Sequence, residues 1–233
     1  AVMGGIQVAS DLVEVAADPG GIDHALDMAA ESCNRLVSLV DSILDISRLE
    51  AGQMPLERNP VSLPALAHSI IDEMRSLADR EMVTLQLQAV SDVPLVFADD
   101  ELVRRVFVNL IDNALKHSPR NSTVTVKIVS EPGDATARRL SFPGNETTGE
   151  GVRCAVMDLG PGIPTEFRDR VFERFAQLDG RRTGKGLGLA FCKLAVQAHG
   201  GRIWIEDNPW GRGSAFVFTL PAANPELLPP AHA

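Results

Sequence analysis

The sequence predicts an α+β fold, an N-terminal α-helical hairpin followed by an α/β sandwich, and three observations predict it. Apolar residues Leu36, Leu39, Val40, Ile43, Leu44 and Ile46 recur at helical spacing within a segment running from Ile22 to Ala51. Alternating apolar runs at Val83–Val90, Val124–Val129 and Val152–Asp158 bracket a helical pattern. Glycine pairs at Gly160–Gly162 and Gly184–Gly188 punctuate the transitions from strand to turn and from turn to helix.

In chain order, a short helix is expected over Val2–Ala16 and a turn at Asp18-Pro19-Gly20-Gly21. The long amphipathic helix then runs to a stop at Gly52. Two antiparallel helices with apolar stripes need partners, and a dimeric four-helix bundle is the common solution, so a homodimer is expected. Met54–Pro64 reads as strand and linker, and Ser62 as the N-cap of a helix ending near Arg80. Strands follow at Val83–Val90 and Leu95–Ala98, then a helix over Asp99–His117 with acidic residues at its positive end. Residues 131–151, rich in Gly, Pro, Thr and charge, read as an exposed loop. A helix over Gly186–His199 and strands at Ile203–Glu206 and Ala215–Leu220 complete the second domain. The expected boundaries are 1–53, 54–222 and a Pro/Ala-rich tail over 223–233.

Composition narrows the function. A net charge of -9 argues against nucleic-acid binding, which needs a basic face to replace phosphate counterions. Cys33, Cys154 and Cys192 are odd in number and widely spaced, so neither a disulfide framework nor a zinc site is expected, and a reducing cytoplasm fits. No apolar run reaches the roughly 18 to 20 residues that span a bilayer, and the start lacks a signal peptide's charged head. Any membrane anchor is expected to lie outside these residues. Asn145-Glu146-Thr147 matches a glycosylation acceptor that would be idle in a cytoplasmic protein.

Three segments carry chemistry. Asn109 and Asn113 stand four residues apart on one helix, with Lys116 three further on, so all three project from one face. Two amide oxygens and added phosphate oxygens make a reasonable magnesium shell, and Lys116 can neutralise phosphate charge. Asp158 ends a strand just before Gly160 and Gly162, where a carboxylate beside a tight turn can grip a base. Gly184, Lys185, Gly186, Leu187, Gly188 and Leu189 open an apolar helix whose free amides and dipole favour phosphate. Alone, each has a bland alternative: a solvated helix face, an Asp-x-Gly turn, a surface glycine loop. In this order they read as a pocket for ATP with Mg2+.

The three segments resemble the N, G1 and G2 boxes of sensor histidine kinases, and Phe172-Glu173-Arg174-Phe175 stands where that family has its F box. The resemblance covers nearly the whole chain and implies the GHKL (Bergerat) form of the α/β sandwich, preceded by a dimerisation and phosphotransfer hairpin. It implies that Asp158 accepts from the adenine amino group, that His117 lies near the phosphates, and that Phe175 belongs to the nucleotide site. Phe172 and Phe175 are expected as apolar anchors of a mobile lid over residues 176–183, with Gln177, Arg181 and Arg182 as candidate phosphate contacts. Lys185 departs from the Thr or Ser common at its position and could add a phosphate contact.

One position separates mechanisms. The wider ATPase superfamily sharing this pocket, DNA gyrase included, has a glutamate where this chain has Asn109. An amide cannot take a proton from water, so transfer of the γ-phosphoryl group to a protein side chain is favoured over hydrolysis. The family implies a histidine acceptor followed by an acid. His24, His68, His117, His199 and His232 are followed by Ala, Ser, Ser, Gly and Ala. The acceptor is therefore expected just upstream of Ala1, the catalytic set within these residues is expected to contain no acceptor, and the chain is expected not to label itself. His199 is expected to be structural. The family's partner is a response-regulator receiver domain; the alternative is a nucleotide-binding pseudokinase scaffold that dimerises and docks one without transferring phosphate.

Overall fold

The computed structural model describes residues 19–131, 151–176 and 186–223. It divides into two compact units, Ala1–Leu44 and Asp45–Ala233. In the first, helix α1 (Pro19–Glu50) begins, and its last turns belong to the second. The helix starts at Pro19, so Pro19, Gly20 and Gly21 are helical where the sequence suggested a turn. Proline in a first turn loses no hydrogen bond, because that amide has no helical partner anyway. The short helix expected over Val2–Ala16 lies outside the described residues. Leu26, Leu36, Val37, Val40 and Leu44 are all exposed in α1, an apolar stripe on a helix surface. Gly52, at φ +63, closes α1 in the left-handed region that glycine adopts without strain.

The second unit is a five-stranded mixed sheet backed by three helices. The elements are β1 (Asn59–Val61), α2 (Leu63–Glu81), β2 (Val83–Ala89), β3 (Val96–Ala98), α3 (Asp100–His117), β4 (Ser122–Glu131), β5 (Gly151–Met157), α4 (Gly188–Ala198), β6 (Arg202–Asp207) and β7 (Ser214–Pro221). The sheet order is β2-β4-β5-β7-β6, with β2 and β4 parallel and the other pairs antiparallel. Parallel neighbours need a crossover, and this one consists of β3 and α3. That requirement lays α3 across the sheet. β1 and β3 pair separately as a small ribbon.

One face of the sheet buries Val124, Val126 and Ile128 of β4, Val152, Cys154 and Val156 of β5, and Phe216, Phe218 and Leu220 of β7. Phe107 of α3 meets Phe218 edge to face at 5.2 Å, which locks α3 onto the sheet. The reverse face carries a smaller cluster of Ala155, Met157, Ala215 and Val217 with Trp204 beside it. Two arginines, Arg153 and Arg202, approach the Trp204 ring. Cys154 and Cys192 are buried, and Cys33 is exposed on α1. The loop at 131–151, apart from its end residues, and the tail from 224 lie outside the described residues.

Candidate functional site

Helix α3 is fixed at both ends. Asp99 caps it by accepting from the Leu102 amide at 3.0 Å, Asp100 and Glu101 meet the positive end of its dipole, and Lys116 and His117 meet the negative end. Its apolar residues Leu102, Val103, Val106, Phe107, Leu110, Ile111 and Ala114 are buried. Asn109 and Asn113 are half-buried beside that stripe, and Lys116 and His117 are exposed. Lys116 is not free: its Nζ lies 2.5 Å from Asp112 Oδ2, one turn back. Both members are partly solvated, so the pair is worth at most about 1 kcal/mol and gives way readily to a stronger anion.

Asp158 follows the last residue of β5 and is 5% exposed. Its Oδ1 accepts from the Gly160 amide at 2.8 Å and the Ser214 amide at 3.3 Å, while its own amide donates to the Ser214 carbonyl at 2.9 Å. Among the described residues no donor meets Oδ2, which leaves that oxygen for a donor from outside. Burial raises the Asp158 pKa above the usual carboxylate value, against the lowering pull of the Gly160 and Ser214 amides and of His117. Gly160 is required by space, because a Cβ there would stand 2.6 Å from the His117 carbonyl oxygen. This contact brings the Asp158 turn against the end of α3.

The second glycine run meets the same helix. A Cβ on Gly188 would stand 3.1 Å from Asn109 Oδ1, so the start of α4 lies directly on the first asparagine. Leu187, the N-cap, supplies no side-chain acceptor to the first amides of α4, which stay available to an anion. A Cβ on Gly186, at φ +64, would stand 2.7 Å from the Phe175 Cα, and the Phe175 amide donates to the Gly186 carbonyl at 2.7 Å. Leu187 is buried, and Gly188 and Leu189 are half-buried. Phe172 is buried and meets Phe216 edge to face at 6.4 Å, as an anchor should. Phe175 is not such an anchor: it is 60% exposed with φ 60, and it is its backbone, not its ring, that holds the glycine run. Gly184, Lys185, Gln177, Arg181 and Arg182 lie outside the described residues.

Sequence reasoning missed the other half of the Asp158 turn. Asn208, 4% exposed, donates from Nδ2 to the Asp158 carbonyl at 2.6 Å, and Gly213 packs so closely that a Cβ would stand 2.0 Å from the same oxygen. The signal was present as Gly211 and Gly213, both at positive φ, just before β7. His199 is buried: its Nε2 accepts from the Asp99 amide at 2.9 Å and its Nδ1 lies 2.7 Å from the Ala195 carbonyl. That pattern defines a neutral ring with the proton on Nδ1, and burial lowers its pKa. His199 thus ties the end of α4 to the cap of α3.

Chemically, the arrangement offers two amide oxygens and a helix N-terminus on one side and a buried carboxylate on the other. Among the described residues no group of three or more His, Cys, Asp or Glu gathers to hold a metal. A cation here would need oxygens from the ligand as well as Asn109 and Asn113, which suits magnesium on phosphate. Among the described residues no helix is long and apolar enough to cross a membrane.

Residues 98–224 match the family described as histidine kinase-, DNA gyrase B-, and HSP90-like ATPase. The adaptive-response sensory kinase SasA of Rippkaea orientalis is 36% identical over 185 residues, covering 78% of this chain and 43% of the relative. That of Crocosphaera subtropica is also 36% identical, over 78% of this chain and 44% of the relative. The chain therefore spans less than half the length of these curated relatives. Among solved structures, full-length ShkA in complex with AMPPNP is similar with TM-score 0.67 and 29% identity, over 83% of this chain and 37% of that one. The mycobacterial sensor histidine kinase MprB is similar with TM-score 0.56 and 27% identity, over 71% and 98%. With the fold, the order of the motifs and these matches in agreement, the chain belongs to the histidine kinase-, DNA gyrase B-, and HSP90-like ATPase family, among its sensor histidine kinases.

Proposed function

We propose that this chain binds ATP with magnesium and is the catalytic part of a protein histidine kinase of a two-component system. The observation that carries the reading is the contact of Gly188 with Asn109, which sets a helix N-terminus and a pair of amide oxygens around one volume. Asp158 Oδ2 accepts from the adenine amino group, and Gly160 and Gly162 allow the base close approach. Asn109 and Asn113 would hold a magnesium ion, which would supply neutralisation of phosphate charge. The amides at Gly186, Leu187, Gly188 and Leu189 hold the phosphates, with Gly184 and Lys185 completing the run. Lys116 exchanges Asp112 for phosphate, and His117 and Phe175 border the site. Asn109 provides no base for water, so catalysis is by positioning and charge neutralisation, and the γ-phosphoryl group passes to a histidine.

None of the five histidines of this chain is followed by an acid, which supports an acceptor histidine supplied by another segment or molecule. From there the phosphoryl group goes to an aspartate of a response-regulator receiver domain. The exposed apolar stripe of α1 supports homodimer formation through that helix. The test is labelling with γ-radiolabelled ATP. The chain alone should remain unlabelled, and joining it to an upstream segment with a histidine and a following acid should give an acid-labile phosphate. Nucleotide binding without any transfer to that segment would instead support the scaffold reading.

A further inference from the structure

The last turns of α1, Asp45–Glu50, carry Ile46, fully buried within the second unit, and two carboxylates aimed at arginines. Asp45 Oδ2 accepts from Arg105 at 2.6 Å, and Glu50 pairs with Arg174. Both arginines border the phosphate side of the candidate site. Arg105 lies one turn before Asn109 on the same face of α3, and its guanidinium stacks 4.0 Å from the Phe191 ring, three residues past Gly188. Arg174 immediately precedes Phe175, whose amide holds Gly186. The two pairs thus flank the two ends of the Gly186–Gly188 run.

We infer that the carboxylates of Asp45 and Glu50 compete with nucleotide phosphates for Arg105 and Arg174, so that the last turns of α1 lower the nucleotide affinity of the site they border. The inference rests on the nucleotide reading above and adds to it a control of affinity. All four side chains are between a fifth and a half exposed, and partly solvated pairs of this kind are weak. Phosphate makes stronger, bidentate bonds with guanidinium, so it can displace a carboxylate that a buried pair would retain. Even without exchange, negative charges beside the site repel a polyanion. The competition is reciprocal: bound nucleotide must loosen the hold of Arg105 and Arg174 on α1 by the factor that α1 costs the nucleotide.

The test uses the full 233-residue chain. Calorimetric titration of the parent with MgATP and MgADP is compared with an Asp45→Asn, Glu50→Gln variant, whose shapes are unchanged. The variant should bind MgATP about fivefold more tightly at low salt, MgADP by a smaller factor, and the gain should vanish near 0.5 M salt, where the Debye length falls to roughly 4 Å. A second variant, Arg105→Gln with Arg174→Gln, should bind MgATP more weakly and with a flatter salt dependence. Hydrogen exchange of the Asp45–Glu50 amides in the parent should quicken on adding MgATP. Equal or weaker binding by the carboxylate variant, or unchanged exchange in a parent that binds, overturns the inference and leaves the nucleotide reading standing. A parent that binds no nucleotide overturns both, and that result is visible in its own titration.

Discussion

Asp158 and Asn113 lie at the two ends of one candidate site, yet they are held in different ways. Asp158 is buried, with one carboxylate oxygen gripped by two backbone amides and its carbonyl by Asn208 and Gly213. Asn109, Asn113 and Lys116 are half-buried or exposed, and the charges beside them are paired to Asp112, Asp45 and Glu50 by contacts that water already reaches. The Asp158 side is thus prebuilt, and on the proposed reading a base that does not match it would leave a buried polar atom unpaired. The α3 side is adjustable: on the proposed reading it would meet a charged ligand by exchanging partners at little cost. Selectivity for the base should therefore be steep and insensitive to salt, and affinity for phosphate graded and salt-dependent.

The contrast is broken most severely at Gly213. Its φ of +106 and the 2.0 Å approach to the Asp158 carbonyl leave no room for a methyl group, so Gly213→Ala should lose about 3 kcal/mol or more in chemical denaturation. A loss below about 1 kcal/mol would mean that the turn around Asp158 yields, and the base side is not rigid. Next in size, Asp158→Asn should weaken ATP binding by about 100-fold in calorimetry while barely altering its salt dependence. A variant that binds ATP as the parent does would remove Asp158 from the base contact.

These two residues also mark what the sequence revealed. Asp158 was legible because a carboxylate stands at a strand end before two glycines, a local pattern that spacing alone exposes. So were α3 with the acidic residues at its start, and the strands whose apolar residues alternate. Asn208 and Gly213 were not, because their contact with Asp158 joins β5 to the entry of β7 across 50 residues or more of chain, and local pattern does not report pairing at that range. Asp45 and Arg105 escaped for the same reason, being 60 residues apart. The helical start at Pro19 was misread because Pro-Gly-Gly is a turn signal locally and helical propensity is set here by the long amphipathic segment that follows.

A smaller effect sharpens the contrast through pH. His199 is neutral and buried, with its pKa below the ordinary value of about 6.5, facing Asp99 and near Arg58. The unfolded chain binds that proton more readily, so the stability owed to His199 is present above pH 6.5 and is lost as pH falls below it toward the lowered folded value. Asp158 runs the other way: its raised carboxyl favours folding at low pH, and that contribution is lost as pH rises through its folded value. The melting midpoint of the parent should therefore drop between pH 7 and 5, and an His199→Asn variant should show a shallower drop from a lower start. Equal slopes would take His199 out of the link between α4 and the α3 cap. Smallest of all, Lys116→Ala should change stability by less than about 1 kcal/mol and weaken MgATP a few-fold at low salt only.

The claim beneath all of this is that Asn109 and Asn113 complete a magnesium shell with the phosphates of ATP. Titration of the parent and of Asn113→Ala with ATP, with and without magnesium, tests it directly. Binding should be tight and magnesium-dependent in the parent, and weak and no longer improved by magnesium in the variant. Equal response to magnesium in both proteins would contradict it.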